Sequence, residues 1–258
     1  MYKGKAFHVK PVDKVFGEIA SIPARFTPHV NRIFLADGDA LVYPFDGLTQ
    51  ILDRLMTTFP NLTRVGSYAS PQSLSTKSAR ELEVLREKKL RMLYFGLESG
   101  DDATLAEINK GFSTAQMAAE AAKARQCGMK LSVTAILGLA GRLRSIEHAR
   151  KTAAWVNEVN PEFFSLLTLF YRHNDDFLRN LQQCTRGELL HEAHELLSHL
   201  HPQKTILRSN HVSNFLHLSG SYPKDRERLI MDAEAALADA ARIPGYLDEV
   251  PDYQEDYY

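Results

Sequence analysis

Four apolar runs of this chain end in small or acidic residues: Asp37-Gly38-Asp39, Ser67-Tyr68-Ala69-Ser70, Glu98-Ser99-Gly100 and Gly138-Leu139-Ala140-Gly141. Each alone is an ordinary turn, because glycine, aspartate and serine are the residues that turns require. Four in succession describe an edge that could hold a ligand. Glycine lets backbone approach closely, and carboxylates receive amines and sugar hydroxyls. Neither glycine-rich phosphate-cradle pattern occurs, which argues against a P-loop or dinucleotide fingerprint. Lys110, in "EINKG", is either a solvated surface charge or a point-charge partner for a carboxylate ligand.

Other candidates are weaker. His191, His194, His199 and His201 fall in "HEAHELLSHLH", one residue short of the zinc-protease spacing and without a third ligand, so they read as the wet face of a helix and the metal expectation is none. Cys127, just before Gly128, reads as packing, whereas Cys184 sits among polar residues and could be reactive. The two are too far apart in sequence for a metal-ligand spacing. "RSNHVSN" supplies Arg208, Asn210, His211 and Asn214, either as a substrate-side wall or as a capping loop.

These groups need elements to position them. Strand-like runs at residues 32–36, 62–68, 92–95 (within the stretch 91–102), 130–141 (breaking at Gly138 and Gly141) and 163–170 alternate with helical stripes. The clearest stripe is Leu48, Ile51, Leu52, Leu55, Met56 and Phe59. Asp101 is expected to cap a short helix carrying Leu105 and Ile108, and Ser113 or Thr114 the next, which stops at Gly128. Parallel neighbours require crossovers, so this alternation predicts a parallel α/β sheet, as a β/α barrel or an open doubly wound sheet. In both, function sits at the carboxyl ends of the strands. Residues 1–171 are expected to form this core. Residues 172–258 should form a helical and loop extension, with residues 208–225 a loop and an acidic tail from about 246.

The chain has 258 residues, 44 % apolar and 24 % charged, with net charge −1. Such a balance gives no general attraction to nucleic acid or anionic membranes. No stretch reaches the length of a bilayer span and the first residues lack a signal-peptide apolar block, so the expected location is cytoplasmic.

"FLADGDAL", "GSYASPQSL", "LYFGLESGDDATLAEINKG" followed by "FSTAQM", "CGMKLSVTAILGLAG" and "NPEFFSLLTL" together resemble the radical S-adenosylmethionine (SAM) superfamily. More narrowly, they resemble a bacterial subgroup that also carries "RSNHxSNxLxLxG" near its end. The likeness runs from Met1 to about Ile230. It implies a partial (β/α)6 TIM-like barrel, SAM as a small-molecule cofactor, a 4Fe-4S cluster, and reductive cleavage of SAM to a 5′-deoxyadenosyl radical acting on an unknown substrate.

The resemblance also implies residue roles. Asp37, Gly38 and Asp39 stand at the turn whose backbone binds the methionyl amine. Glu98, followed by Ser99, reaches the ribose hydroxyls, and Lys110 pairs with the methionyl carboxylate. Thr134, Gly138 and Leu139 lie on the strand and turn contacting ribose and adenine. Ser67, Tyr68 and Ser70 lie on a strand end facing the ligand. "YRHNDD" departs from the turn relatives have after the fifth strand.

In relatives, "MYKGKxF" follows the first strand and the three-cysteine cluster motif, and here it opens the sequence. The 258 residues therefore lack that strand and those cysteines, and the polypeptide as it stands is expected to be inactive. A start assigned at an internal methionine is the favoured explanation, and a shortened natural form the other. "RIFLAD" would then carry an open edge that invites self-association. A clusterless SAM- or nucleoside-binding module is a second reading. A third is an unrelated β/α-barrel hydrolase or isomerase using Glu98 and Asp37 as acid and base.

Overall fold

The computed structural model describes residues 8–169, 177 and 179–251. The opening "MYKGKAF", the "YRHNDD" turn and the last seven residues of the acidic tail lie outside the described residues. Seven strands form one sheet in chain order: β1 (Arg32–Leu35), β2 (Arg64–Ala69), β3 (Leu90–Glu98), β4 (Lys130–Leu137), β5 (Phe163–Thr168), β6 (Ile206–Arg208) and β7 (Ser219–Ser221). The sheet is mostly parallel and does not close, an α/β arrangement of the partial-barrel kind. Pairing is parallel for β1–β2, β2–β3, β4–β5 and β5–β6, whereas β7 runs antiparallel to β6.

Nine helices among the described residues are named here: α1 (Val12–Ala20), α2 (Phe45–Thr58), α3 (Pro71–Ser75), α4 (Ala79–Glu87), α5 (Asp102–Glu107), α6 (Thr114–Gln126), α7 (Ser145–Val159), α8 (Arg186–His199) and α9 (Arg226–Ala240). The chain divides into two compact units, residues 1–95 with 120–131, and residues 96–119 with 132–258.

In the first unit the expected α2 stripe is the buried face: Leu48, Ile51, Leu52 and Leu55 are all inside. It packs on α1 and α4. Strand β2 buries Val65, Ser67 and Ala69 and turns Tyr68 outward. Phe34, Tyr68 and Tyr94 make edge-to-face contacts on the open side of β1–β3, with centroid separations of 4.9, 5.2 and 6.2 Å. Such T-shaped pairs bring the positive ring edge to the negative face of a neighbour.

In the second unit Val133, Ala135 and Leu137 of β4, Phe164 and Leu166 of β5 and Leu207 of β6 are buried, while Thr134, Ile136, Ser165 and Leu167 are half-buried. Helix α7 packs on α8, and α8 on α9. The expectation of a loop over 208–225 is corrected here. β6 ends at Arg208 and β7 lies inside that range, the pair bound by Ser209 N–H to Leu218 O at 2.8 Å and Tyr222 N–H to Thr205 O at 2.8 Å. Three-residue strands are too short to show a period, and only their partners identify them.

Candidate functional site

The first unit holds Asp37, Gly38, Asp39, Ser67 and Ser70. Asp37 and Gly38 have φ of 65° and 111°, so the chain leaves β1 through two left-handed residues. An aspartate can occupy that region because its short side chain bonds locally. The Asp39 carboxylate is committed to structure. Oδ1 accepts from Leu41 N–H at 3.0 Å and Oδ2 from Ser70 N–H at 2.7 Å, which ties the β1 turn to the end of β2. Ser70 also caps α3 in a reciprocal box with Ser73. Ser67 is fully buried, on the opposite side of β2 from Tyr68, and its hydroxyl donates to Tyr68 O at 2.8 Å.

The second unit holds the remaining candidates. Strand β3 ends at Glu98, whose φ is 62°. Lys110 Nζ lies 3.2 Å from Glu98 Oε1, and both side chains keep some contact with solvent. Gly96 makes room for this pair, since a Cβ there would lie 2.4 Å from Glu98 Oε1 and 3.5 Å from Lys110 Nζ. Lys110 is presented by the close of α5, where Lys110 N–H bonds Leu105 O at 2.9 Å between Asn109 (φ 54°) and Gly111 (φ 79°). That left-handed termination is the usual way to satisfy the last carbonyls of a helix.

The acid-rich turn after Glu98 anchors the pair. Ser99 is buried and its hydroxyl accepts from Asp101 N–H at 2.9 Å. Gly100 N–H donates to Thr152 Oγ1 at 3.0 Å, and a Cβ on Gly100 would lie 2.5 Å from Thr152 Cα. Asp101 caps α5 as expected, accepting from Thr104 N–H and Oγ1. Its carboxylate also binds Arg144 Nη1 and Lys151 Nζ, each at 2.8 Å. Burial alone would raise this acid's pKa, but the hydrogen bonds from Lys151 and Thr104 and the Lys151 charge outweigh it and hold the pKa at about 2.

Thr134 is half-buried on β4. Gly138 (φ 80°) and the buried Leu139 begin the following turn, whose Gly138 N–H donates to both Glu192 oxygens at 3.1 Å. Asn214 is buried and saturated. Its Nδ2 donates to Leu166 O, Ser209 O and Ser209 Oγ, and its Oδ1 accepts from Thr168 Oγ1 at 2.8 Å. It is therefore a fastener between β5 and the β6–β7 connection. Arg208, Asn210 and His211 are exposed; Arg208 Nη1 donates to Leu207 O at 2.9 Å and His211 Nδ1 sits 2.8 Å from Ser213 Oγ.

The expectation of a reactive Cys184 is corrected. Cys184 is fully buried, and burial, with the Glu192 and Glu188 charges, pushes its thiol up to about 12. Cys127 is also buried, its Sγ donating to Ala79 O at 3.4 Å. No group of three or more His, Cys, Asp or Glu suited to a metal occurs among the described residues. His191, His199 and His201 are exposed, and His194 Nε2 lies 3.3 Å from Glu234 Oε1. Sequence reasoning missed Glu192, His148 and Ser145, for which no local pattern exists.

No family model matches the chain. It is similar to the heme chaperone HemW of Bacillus subtilis (strain 168), with 25 % identity over 176 residues that cover 63 % of this chain and 46 % of that one. Among solved structures it is similar to coproporphyrinogen III oxidase (HemN) from Escherichia coli, described as a radical SAM enzyme, with TM-score 0.58, 16 % identity and coverage of 72 % of this chain and 43 % of that one. Methylornithine synthase (PylB) gives TM-score 0.58 at 13 % identity over 90 % of this chain and 64 % of that one. The chain thus spans less than half the length of HemW and HemN. It shares the fold of the radical SAM enzyme HemN.

Proposed function

We propose that this chain is the β/α core of a radical SAM protein and that its strand ends bind S-adenosylmethionine. The observation that carries this is the Glu98–Lys110 pair at the end of β3, 3.2 Å apart and set over Gly96. A carboxylate in a left-handed turn can accept two vicinal ribose hydroxyls, and an ammonium beside it can take the methionyl carboxylate once the pair opens. Within the first unit the Asp39 side chain is already spent on Leu41 and Ser70, which leaves the backbone of the Asp37–Asp39 turn as its group for a ligand amine. Thr134 and the turn from Gly138 would meet ribose and adenine. S-adenosylmethionine supplies, when bound, the sulfonium on whose cleavage the superfamily's radical chemistry depends.

The two thiols of these 258 residues do not fit a 4Fe-4S cluster, since such clusters are held by several thiolates and Cys127 and Cys184 are both buried, each with its thiol pKa raised. The test is titration calorimetry with S-adenosylmethionine and with 5′-methylthioadenosine, which lacks the amino acid. Lys110→Met should weaken S-adenosylmethionine about tenfold or more, as expected for losing a charged hydrogen bond, and leave methylthioadenosine unchanged. Glu98→Gln should weaken both. A wild-type chain that binds neither compound, or two variants that bind like wild type, would overturn the reading.

A further inference from the structure

Helix α8 carries a carboxylate that the proposed site does not use. Glu192 is fully buried, a position where a charged group is tolerated only if hydrogen-bonded. Its partners are specific. Gly138 N–H lies 3.1 Å from both oxygens, Ser145 Oγ donates to Oε2 at 2.8 Å, and His148 Nδ1 lies 2.8 Å from Oε1. Gly138 opens the turn after β4, and Ser145 begins α7, so one carboxylate holds both ends of the intervening segment.

That segment is held elsewhere too. Gly141 N–H bonds Gly138 O at 3.1 Å, Arg142 N–H bonds Gln182 O at 2.9 Å, and Arg142 pairs with Glu188 on the same helix α8. At Gly138 a Cβ would sit 2.8 Å from Leu189 Cδ2, so backbone lies directly on α8. Among the described residues the Nε2 of His148, 1 % exposed, has no hydrogen-bond partner, and the ring's one hydrogen bond there is Nδ1 to Glu192.

We infer that Glu192 is a positioning residue: from α8 it sets the Gly138–Ser145 turn, and through that turn the affinity of the site for the nucleoside portion of its ligand. The inference rests on the proposed S-adenosylmethionine site. At metal sites, partners that orient a ligand residue from behind change affinity about ten- to a hundredfold without touching the metal, and Glu192 stands in the same relation to the turn.

The experiment uses the full 258-residue chain and two readouts. Hydrogen–deuterium exchange across residues 138–145 reports the turn itself. Calorimetry with S-adenosylmethionine and 5′-methylthioadenosine reports the site. Glu192→Ala should unprotect the turn and weaken both ligands by the same factor, about tenfold. That equality separates it from Lys110→Met, which spares methylthioadenosine. Ser145→Ala, a milder change, should weaken both about threefold. Glu192→Gln retains an acceptor for Gly138 N–H and should recover most of the affinity. If wild type binds both ligands and Glu192→Ala binds them equally well, or exchange in the turn is unchanged, the inference fails and the site stands. A loss in Glu192→Ala that Glu192→Gln and Ser145→Ala do not grade also refutes it. If wild type binds neither, the site itself fails and the inference with it.

Discussion

Asp101 is the residue on which the frame around Glu98 most directly depends, and replacing it by asparagine isolates its charge. The carboxylate accepts from Thr104 N–H at 3.1 Å, Thr104 Oγ1 at 2.7 Å, and Arg144 and Lys151 at 2.8 Å each. Asparagine can keep the helix cap, because its carbonyl still accepts from Thr104, but its amide cannot pair with two cations. The folded-state pKa of about 2 lies below the ordinary 3.8. Such a shift corresponds to about 2 kcal/mol favouring the ionised folded form. The sign follows directly: a depressed acid stabilises the fold above its unfolded pKa, and that contribution is lost as pH falls through the folded value. Wild type should exceed Asp101→Asn by about 2 kcal/mol at neutral pH, by about half that near pH 3, and by little near pH 2. Asp101→Ala should lose about 1 kcal/mol more, the usual worth of an N-cap. Urea unfolding at several pH values measures each gap. An Asp101→Asn protein as stable as wild type at pH 7, or a gap that persists undiminished at pH 2, would refute the account.

Three further outcomes follow from the same geometry. Gly100→Ala should destabilise by about 1–3 kcal/mol in urea, because its new Cβ meets Thr152 Cα at 2.5 Å and Lys151 O at 2.6 Å, backbone that cannot swing aside. Cys184, with a thiol near 12 and no exposed surface, should resist iodoacetamide at pH 8 in the folded chain and react on unfolding, and a folded rate within threefold of the unfolded one would disprove this. Asn214→Ala should cost about 2–3 kcal/mol by orphaning Leu166 O and Thr168 Oγ1, whereas exposed Arg208→Ala should stay within about 0.5 kcal/mol, both read from urea midpoints.

Local pattern alone made much of this molecule legible. The apolar stripe of α2 is its buried face, the Asp101 cap and the Gly128 stop are where spacing put them, and β1 through β5 match runs of apolar residues. Each depends on periodicity or on a residue's conformational preference within a few positions, which the sequence states directly. The resemblance supplied the barrel-like fold and the strand-end candidates, Glu98 and Lys110 among them. Only the folded chain decided that those two face one another, that Asn214 fastens strands while Arg208 stays outside, and that Cys184 is sealed from reagents. It alone revealed β6 and β7, each three residues long, and Glu192, whose hydrogen-bonding partners lie 44, 47 and 54 positions away. A buried carboxylate inside a helix has no local signature, because what makes it tolerable is a set of donors that only tertiary packing brings within three ångströms or so.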